Sequence, residues 1–236
     1  MKIKAVLFDL DGTLLPMDQD TFVSTYFAAL ADKLASYGYD KETLVAVIWK
    51  GMKAMMKNTT EERNETLFWR EFSAVYGNTG LCDSALFDEF YEKDFPKVRR
   101  AVGFAPEAKQ TVSLVKALGY RAVLATNPMF PKAATYQRVG WAGLSLDDFE
   151  MISTYEDFTR CKPNPEYFTE LLGKLGLSPD EVVMVGNDAY EDMAAAKLGI
   201  PVFLLTHSLV NRKEIPLDEI PHGGFDELAE WLKSFG

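Results

Sequence analysis

Hydrophobic positions along this chain follow two patterns. Short continuous apolar runs at 3–8, 121–125, 182–186 and 201–205, with a weaker one at 149–152, have the length of strands buried on both faces of a parallel sheet. Between them apolar residues recur at helical spacing, and the punctuation agrees. Pro106 opens one predicted helix and Gly119 ends it; Pro131 and Gly140 bracket a second. Asn164 and Pro165 start a third that reaches Leu175, with Gly176 beyond. Ser178 and Glu181 have capping-box spacing before the run at 182–186, a helix is predicted over 189–198, and an amphipathic helix over 225–235 closes the chain.

From 18 to 98 the pattern is helical throughout. Phe22, Tyr26, Phe27, Leu30 and Leu34 share one helix face. Asp40 is placed to cap a second helix bearing Leu44, Val47 and Ile48, which Gly51 is expected to interrupt. Thr59 and Glu62 have capping-box spacing before a third with Leu67, Phe68, Trp69, Phe72 and Val75. Strands alternating with helices predict an α/β fold, a doubly wound parallel sheet of Rossmann-like type. The all-helical stretch reads as an insertion, so the expected division is a core of residues 1–16 and 99–236 and a helical cap domain of residues 17–98.

Ligands of such sheets bind beyond the carboxyl ends of the strands, near the point where strand order reverses. That rule gathers four separate polar stretches: Asp9 to Thr13, Thr126 with Asn127, the loop around Lys162, and Asp188 to Asp192. Asp9 and Asp11 lie one residue apart at the end of the first run. At 4 Å two such charges repel by roughly 4 kcal/mol at an effective dielectric of 20. A hard, oxygen-preferring cation between them is the simplest remedy. Gly12 predicts a turn there whose N–H meets an anion.

Composition narrows the partners. The 236 residues are 47% hydrophobic, enough for a sizeable core, and carry a formal charge of −10. That charge disfavours nucleic acid and anionic membranes as partners. Cys82 and Cys161 form neither a disulfide framework nor a zinc spacing, and no leader or bilayer-length apolar run is evident, so a soluble cytoplasmic protein with reduced thiols is expected.

Asp9-Leu10-Asp11-Gly12-Thr13 resembles the first motif of the haloacid dehalogenase superfamily of hydrolases. Thr126 matches the second, Lys162 in Cys161-Lys162-Pro163-Asn164-Pro165 the third, and the acids of Gly186-Asn187-Asp188-Ala189-Tyr190-Glu191-Asp192 the fourth. The motifs come in the family's order, and the helical insertion stands where its type-one cap does. Asn187 departs from the pattern, since many members place an acid there.

The resemblance implies a Mg²⁺-dependent phosphatase acting on phosphomonoesters of small metabolites through an aspartyl phosphate. The chemistry fits these residue types. Phosphoryl transfer needs an in-line oxygen nucleophile, positive charge on the equatorial oxygens and a proton for the leaving group. Asp9 is the expected nucleophile, and Asp11 the general acid and then the base. Mg²⁺ is expected on the Asp9 carboxylate, the Asp11 carbonyl and Asp188, with Asp192 in an orienting role. Thr126, Asn127, Lys162 and the Gly12 amide are expected to meet the phosphate. Dehalogenating and phosphonate-cleaving members lack an acid equivalent to Asp11, which favours a phosphatase. A sugar-phosphate mutase is the alternative within the superfamily, although residues 16–30 lack the histidine usual there. A phosphate- or metal-binding module without turnover is the alternative outside enzymology.

Overall fold

A computed structural model describes residues 3–77, 82 and 84–236. Its centre is a five-stranded, all-parallel sheet in the order β2-β1-β3-β4-β5. The strands are β1 (Ala5–Phe8), β2 (Arg121–Leu124), β3 (Val182–Gly186), β4 (Val202–Leu205) and the two-residue β5 (His222–Gly223). Successive strand residues serve opposite faces. Val6, Phe8, Val183 and Val185 enter one apolar cluster, while Ala5, Leu7, Val182 and Met184 enter another across the sheet. Both faces are therefore dry, which is why these runs carry no polar alternation.

Helices cover the two faces: α5 (Pro106–Ala117), α6 (Lys132–Trp141), α7 (Pro165–Leu175) and α8 (Phe225–Lys233). Two of the stop signals act as the sequence predicts, but Gly140 does not end its helix: α6 runs through it to Trp141, and Gly143, at φ 74°, takes the left-handed conformation instead. Gly176 and Gly119 take left-handed conformations at φ 65° and 83°, and Asn164 accepts the Glu166 N–H at 3.0 Å.

Between β1 and β2 lie α1 (Gln19–Ala35), α2 (Lys41–Met56), α3 (Asn64–Tyr76), α4 (Ser84–Lys93) and a 3₁₀ turn, Phe95–Ala101. Asp18 and Asp40 cap α1 and α2 through the N–H groups of Thr21 at 2.8 Å and Thr43 at 2.9 Å. The chain leaves and re-enters the sheet side by side: Met17 bridges Val102 antiparallel, and the Gly103 N–H meets the Pro16 carbonyl at 2.7 Å. Phe22, Tyr26, Phe72 and Phe87 belong to the same apolar cluster as the strand residues Phe8 and Val185, so the helices share a continuous core with one face of the sheet.

Several local expectations are corrected. Gly51 does not interrupt α2; the ring of Phe68 lies directly against the helix at that point. Thr59 and Glu62 form no capping box. Asn58 organises that turn instead, accepting the Thr60 N–H at 2.8 Å and donating to the Glu62 carbonyl at 2.8 Å, and α3 starts only at Asn64. The run at 149–152 forms no named strand but an isolated bridge, Ile152 to Leu124; it still lies along β2, the Glu150 N–H donating to the Ala122 carbonyl at 2.9 Å and the Leu124 N–H to the Met151 carbonyl at 2.9 Å. The helix predicted over 189–198 is a shorter 3₁₀ segment, Asp192–Leu198, since two carboxylates draw its first turn into a loop.

Candidate active site

The strand order reverses beside β1, which has β2 on one side and β3 on the other. Chain segments diverge beyond the carboxyl ends there and leave a crevice. Asp9 follows β1, Thr126 follows β2, and Asn187 and Asp188 follow β3. All four line one cavity of about 290 Å³, together with Asp11, Asn127 and Asp192.

Lys162 is the electrostatic centre. Its side chain is fully buried, and its ammonium donates to Asp9 Oδ1 at 2.9 Å and to Asp192 Oδ1 at 2.7 Å. Burial alone would lower its pKa, but Asp192 and Asp9 outweigh that and raise it. Burial pushes the Asp9 carboxyl above the usual range against the pull of Lys162, and Asp192 and Asp11 add to the rise. Asp192 also accepts the N–H groups of Asn187 and Asp188, both at 2.9 Å. One carboxylate thus ties the lysine to the loop after β3. Gly186 makes this approach feasible: a Cβ there would lie 2.0 Å from Asp192 Oδ2.

The turn after β1 is set by Gly12, at φ 89°. A Cβ on it would meet Asn187 Nδ2 at 2.2 Å. Its own N–H donates to the Leu15 carbonyl at 2.8 Å, so it closes the turn rather than standing free for an anion, as the sequence had suggested. Thr13 donates to Asn187 Oδ1 at 2.9 Å and stands 3.3 Å from Asp9 Oδ2. Asn127 is also engaged internally. Its amide donates to Glu191 at 2.9 Å and to the Lys162 carbonyl at 3.3 Å, and its oxygen accepts the Lys162 N–H at 3.2 Å. Asn127 therefore links the second and third motif loops. Thr126 is buried and lines the cavity, its carbonyl held by Ser153 at 2.5 Å and the Tyr167 hydroxyl at 3.1 Å.

Arg138, absent from the sequence expectations, and Glu191, quoted there only among the acids of the fourth motif and given no role, complete the site. Arg138 of α6, wholly buried, donates through Nη1 to Asp11 Oδ2. The sequence held a signal for it: with Ala134 and Thr135 it lies on the buried face of its helix, where a charge requires an acidic partner. Glu191 is half-buried against the cavity, and burial pushes its carboxyl up to about 8. No periodicity distinguishes Glu191 from a surface acid.

The donors suit a hard divalent cation. Five carboxyl groups, Asp9, Asp11, Asp188, Glu191 and Asp192, line the cavity, and among the described ion pairs Lys162 and Arg138 are the cations that meet them. Burial raises Asp188 as well, although the Tyr190 and Glu191 amides hold its Oδ1 at 2.7 and 2.9 Å. Asp11 Oδ1 is buried and without a hydrogen-bond partner among the described residues. Among the same residues no three acidic, cysteine or histidine side chains enclose a cation by themselves. The expected set needs only two, Asp9 and Asp188, beside the main-chain carbonyl of Asp11. Cys161 is buried, its thiol raised by burial, and plays no part in this arrangement. No helix among the described residues is long and apolar enough to cross a membrane.

Comparison with known proteins agrees with this geometry. A family model described as haloacid dehalogenase-like hydrolase matches residues 3–208. A phosphoglycolate phosphatase of Yersinia pestis is 33% identical over 208 residues, spanning 87% of this chain and 82% of that protein. Pyrophosphatase PpaX of Bacillus cereus (strain AH820) is 25% identical over 215 residues, 90% of this chain and 87% of its own. Among solved structures, a 2-haloacid dehalogenase from Pseudomonas syringae pv. Tomato DC3000 superposes with a TM-score of 0.67 at 23% identity, covering 99% of this chain and 100% of that one. A HAD phosphatase from Thermococcus onnurineus gives 0.59 at 21%, covering 98% of each. The two structures share the fold.

Proposed function

Because the chain belongs to the haloacid dehalogenase-like hydrolases, we propose that it is a Mg²⁺-dependent phosphatase that hydrolyses phosphomonoesters of small metabolites through an aspartyl phosphate on Asp9. The observation that carries the reading is the pair of acids after β1 with two different buried cations: Lys162 on Asp9, and Arg138 on Asp11. One acid is steadied as a nucleophile and the other is held at a fixed angle as a proton carrier. A dehalogenase has no need of the second.

In this mechanism Asp9 attacks phosphorus in line with the leaving oxygen. The bond from phosphorus to that oxygen breaks, and Asp11 delivers a proton from Oδ1 to the departing alcohol. Arg138 occupies Oδ2 and so directs Oδ1. Asp11, now a carboxylate, takes a proton from water as the water oxygen attacks phosphorus. The bond from phosphorus to Asp9 breaks, orthophosphate leaves, and both acids return to their starting states. Lys162 and the Thr126 hydroxyl stabilise charge on the phosphoryl oxygens; removing one such contact typically costs on the order of 10²- to 10³-fold in rate. Asp9, Asp188 and the Asp11 carbonyl would hold Mg²⁺, which when bound neutralises phosphate charge and lowers the pKa of Asp9. Residues 17–98 serve as a cap joined to the core through the two segments bridged at Met17 and Val102, and its closure excludes water.

The test is phosphate release from a panel of phosphorylated metabolites, with and without Mg²⁺, beside Asp9→Asn. Activity that needs Mg²⁺ and disappears in the variant supports the reading. Activity surviving in the variant removes the mechanism, and inactivity of the parent on every substrate removes the phosphatase.

A further inference from the structure

The cavity that begins at Asp9 continues into a different environment. Away from the acids its walls come from α1, α2 and the loop after β2: Phe22, Tyr26 and Phe27, then Trp49, Met52 and Phe130. No lysine, arginine or histidine is among its described lining residues. Two cations behind it are already paired: Lys162 with Asp9 and Asp192, and Arg138, which packs on the rings of Phe22 and Phe130, with Asp11. Tyr26 offers no free polar tip, since its hydroxyl bonds that of Tyr91 at 3.0 Å. At the mouth, Trp49 and Met56 are 48% and 43% exposed, and Trp49 packs on Phe27 at 5.6 Å between centroids. Large exposed apolar side chains in one place mark a surface that meets an apolar ligand.

We propose that the leaving group of the substrate is uncharged and apolar, an alkyl or aryl alcohol seated between α1 and α2. The inference rests on the phosphatase reading above and names its substrate class. A second anionic group, such as the carboxylate of phosphoglycolate or the further phosphate of pyrophosphate, would enter a wall with no cation to receive it, beside carboxyl groups that repel it. An apolar group instead replaces water against methionine and aromatic rings, which adapt to its shape.

The experiment uses n-butyl, n-pentyl and n-hexyl phosphate, whose leaving oxygens are chemically alike, so that differences report the pocket alone. With Mg²⁺ and the unmodified protein, kcat/KM should rise about fourfold per methylene, the equivalent of about 0.8 kcal/mol buried. Hexyl phosphate should exceed phosphoglycolate and pyrophosphate by at least about 100-fold. Met52→Lys, which places a cation in the wall, should narrow that preference by about tenfold or more, and an unchanged preference would count against the wall as the binding surface. A flat or falling alkyl series, or faster turnover of phosphoglycolate or pyrophosphate, overturns the inference and leaves the phosphatase intact. Calorimetric titration of the Asp9→Asn variant separates the two failures. If no substrate is hydrolysed yet the variant binds hexyl phosphate about fourfold more tightly per added methylene, the pocket stands and the phosphatase falls; if it binds all three equally, the pocket assignment falls too.

Discussion

Arg138 and Asp11 form an unequal pair: the guanidinium is wholly buried, whereas the carboxylate it grips is 22% exposed at the edge of the cavity. Arg138 sits with Phe130 at 4.4 Å from its ring centroid and donates to Thr135 Oγ1 at 3.2 Å, so its only charged partner among the described ion pairs is Asp11. The cost of breaking the pair depends on which member is removed. Asp11→Ala leaves a buried cation unpaired and should cost about 3–5 kcal/mol. Arg138→Met fills the same space with an apolar chain and leaves a carboxylate that water reaches, at a cost of about 1 kcal/mol. Urea unfolding of the two variants measures the difference, and equal losses would refute the asymmetry. In activity, Arg138→Met should lower kcat by about tenfold or more with KM nearly unchanged, because Arg138 positions the proton carrier without touching the substrate.

Lys162→Met should lower phosphate release by at least about 10²- to 10³-fold. It also leaves the Asp9 and Asp192 carboxylates buried beside each other without their cation. The unfolded chain then binds fewer protons than the folded one at neutral pH, so the variant should gain stability as pH falls from about 7 toward 5. Thermal melts of the metal-free variant across that range check the sign, and a variant most stable at pH 7 would contradict it.

Glu191 carries a pH dependence of its own. Its carboxyl stands at about 8 in the folded protein against 4.5 without the fold, so ionising it opposes folding. This destabilisation is absent below about pH 4.5, grows as pH rises and levels off above about pH 8. Glu191→Gln keeps an oxygen to accept the Asn127 amide. In the metal-free protein it should raise the Tm, more at pH 8 than at pH 5, and a gain independent of pH would contradict the assignment.

Magnesium should stabilise the folded chain through Asp188. At a hundredfold excess over its Kd a ligand contributes about 2.7 kcal/mol, roughly 5–10 °C for a domain of this size. The shift should be seen in the parent and be largely lost in Asp188→Ala. Differential scanning calorimetry with and without Mg²⁺ reads this independently of turnover.

Gly186→Ala tests how closely the loop after β3 is built. Its Cβ would fall 2.0 Å from an oxygen of Asp192. The carboxylate must then move off the two amides and Lys162, and phosphate release should fall by about 100-fold or more even where circular dichroism reports an intact fold.

The parallel sheet was legible because its strands are dry on both faces, and a continuous apolar run of four or five residues has few other uses in a chain of this charge. The site was legible for a related reason: polar residues directly after such runs have nowhere to go but the sheet's carboxyl edge. The capping signals at Asp40, Asn164 and Ser178 were readable because they act over three residues and need no distant partner. Thr59 failed as a signal because Asn58, one residue earlier, found the carbonyls of Glu62 and Thr159 first.

From residue order alone came the fold class, the helical insertion and the set of acids and lysine gathered at one edge, since all follow from period, length and local chemistry. Tertiary structure decided the remainder. It turned the Gly12 amide toward Leu15, gave Asn127 to Glu191 and the Lys162 loop, and brought Arg138 to Asp11 across 127 positions of sequence. It also laid an apolar wall from α1 and α2 along the acids. Each of these depends on which surfaces meet when separate elements pack, and contacts between distant segments leave no period in a linear chain.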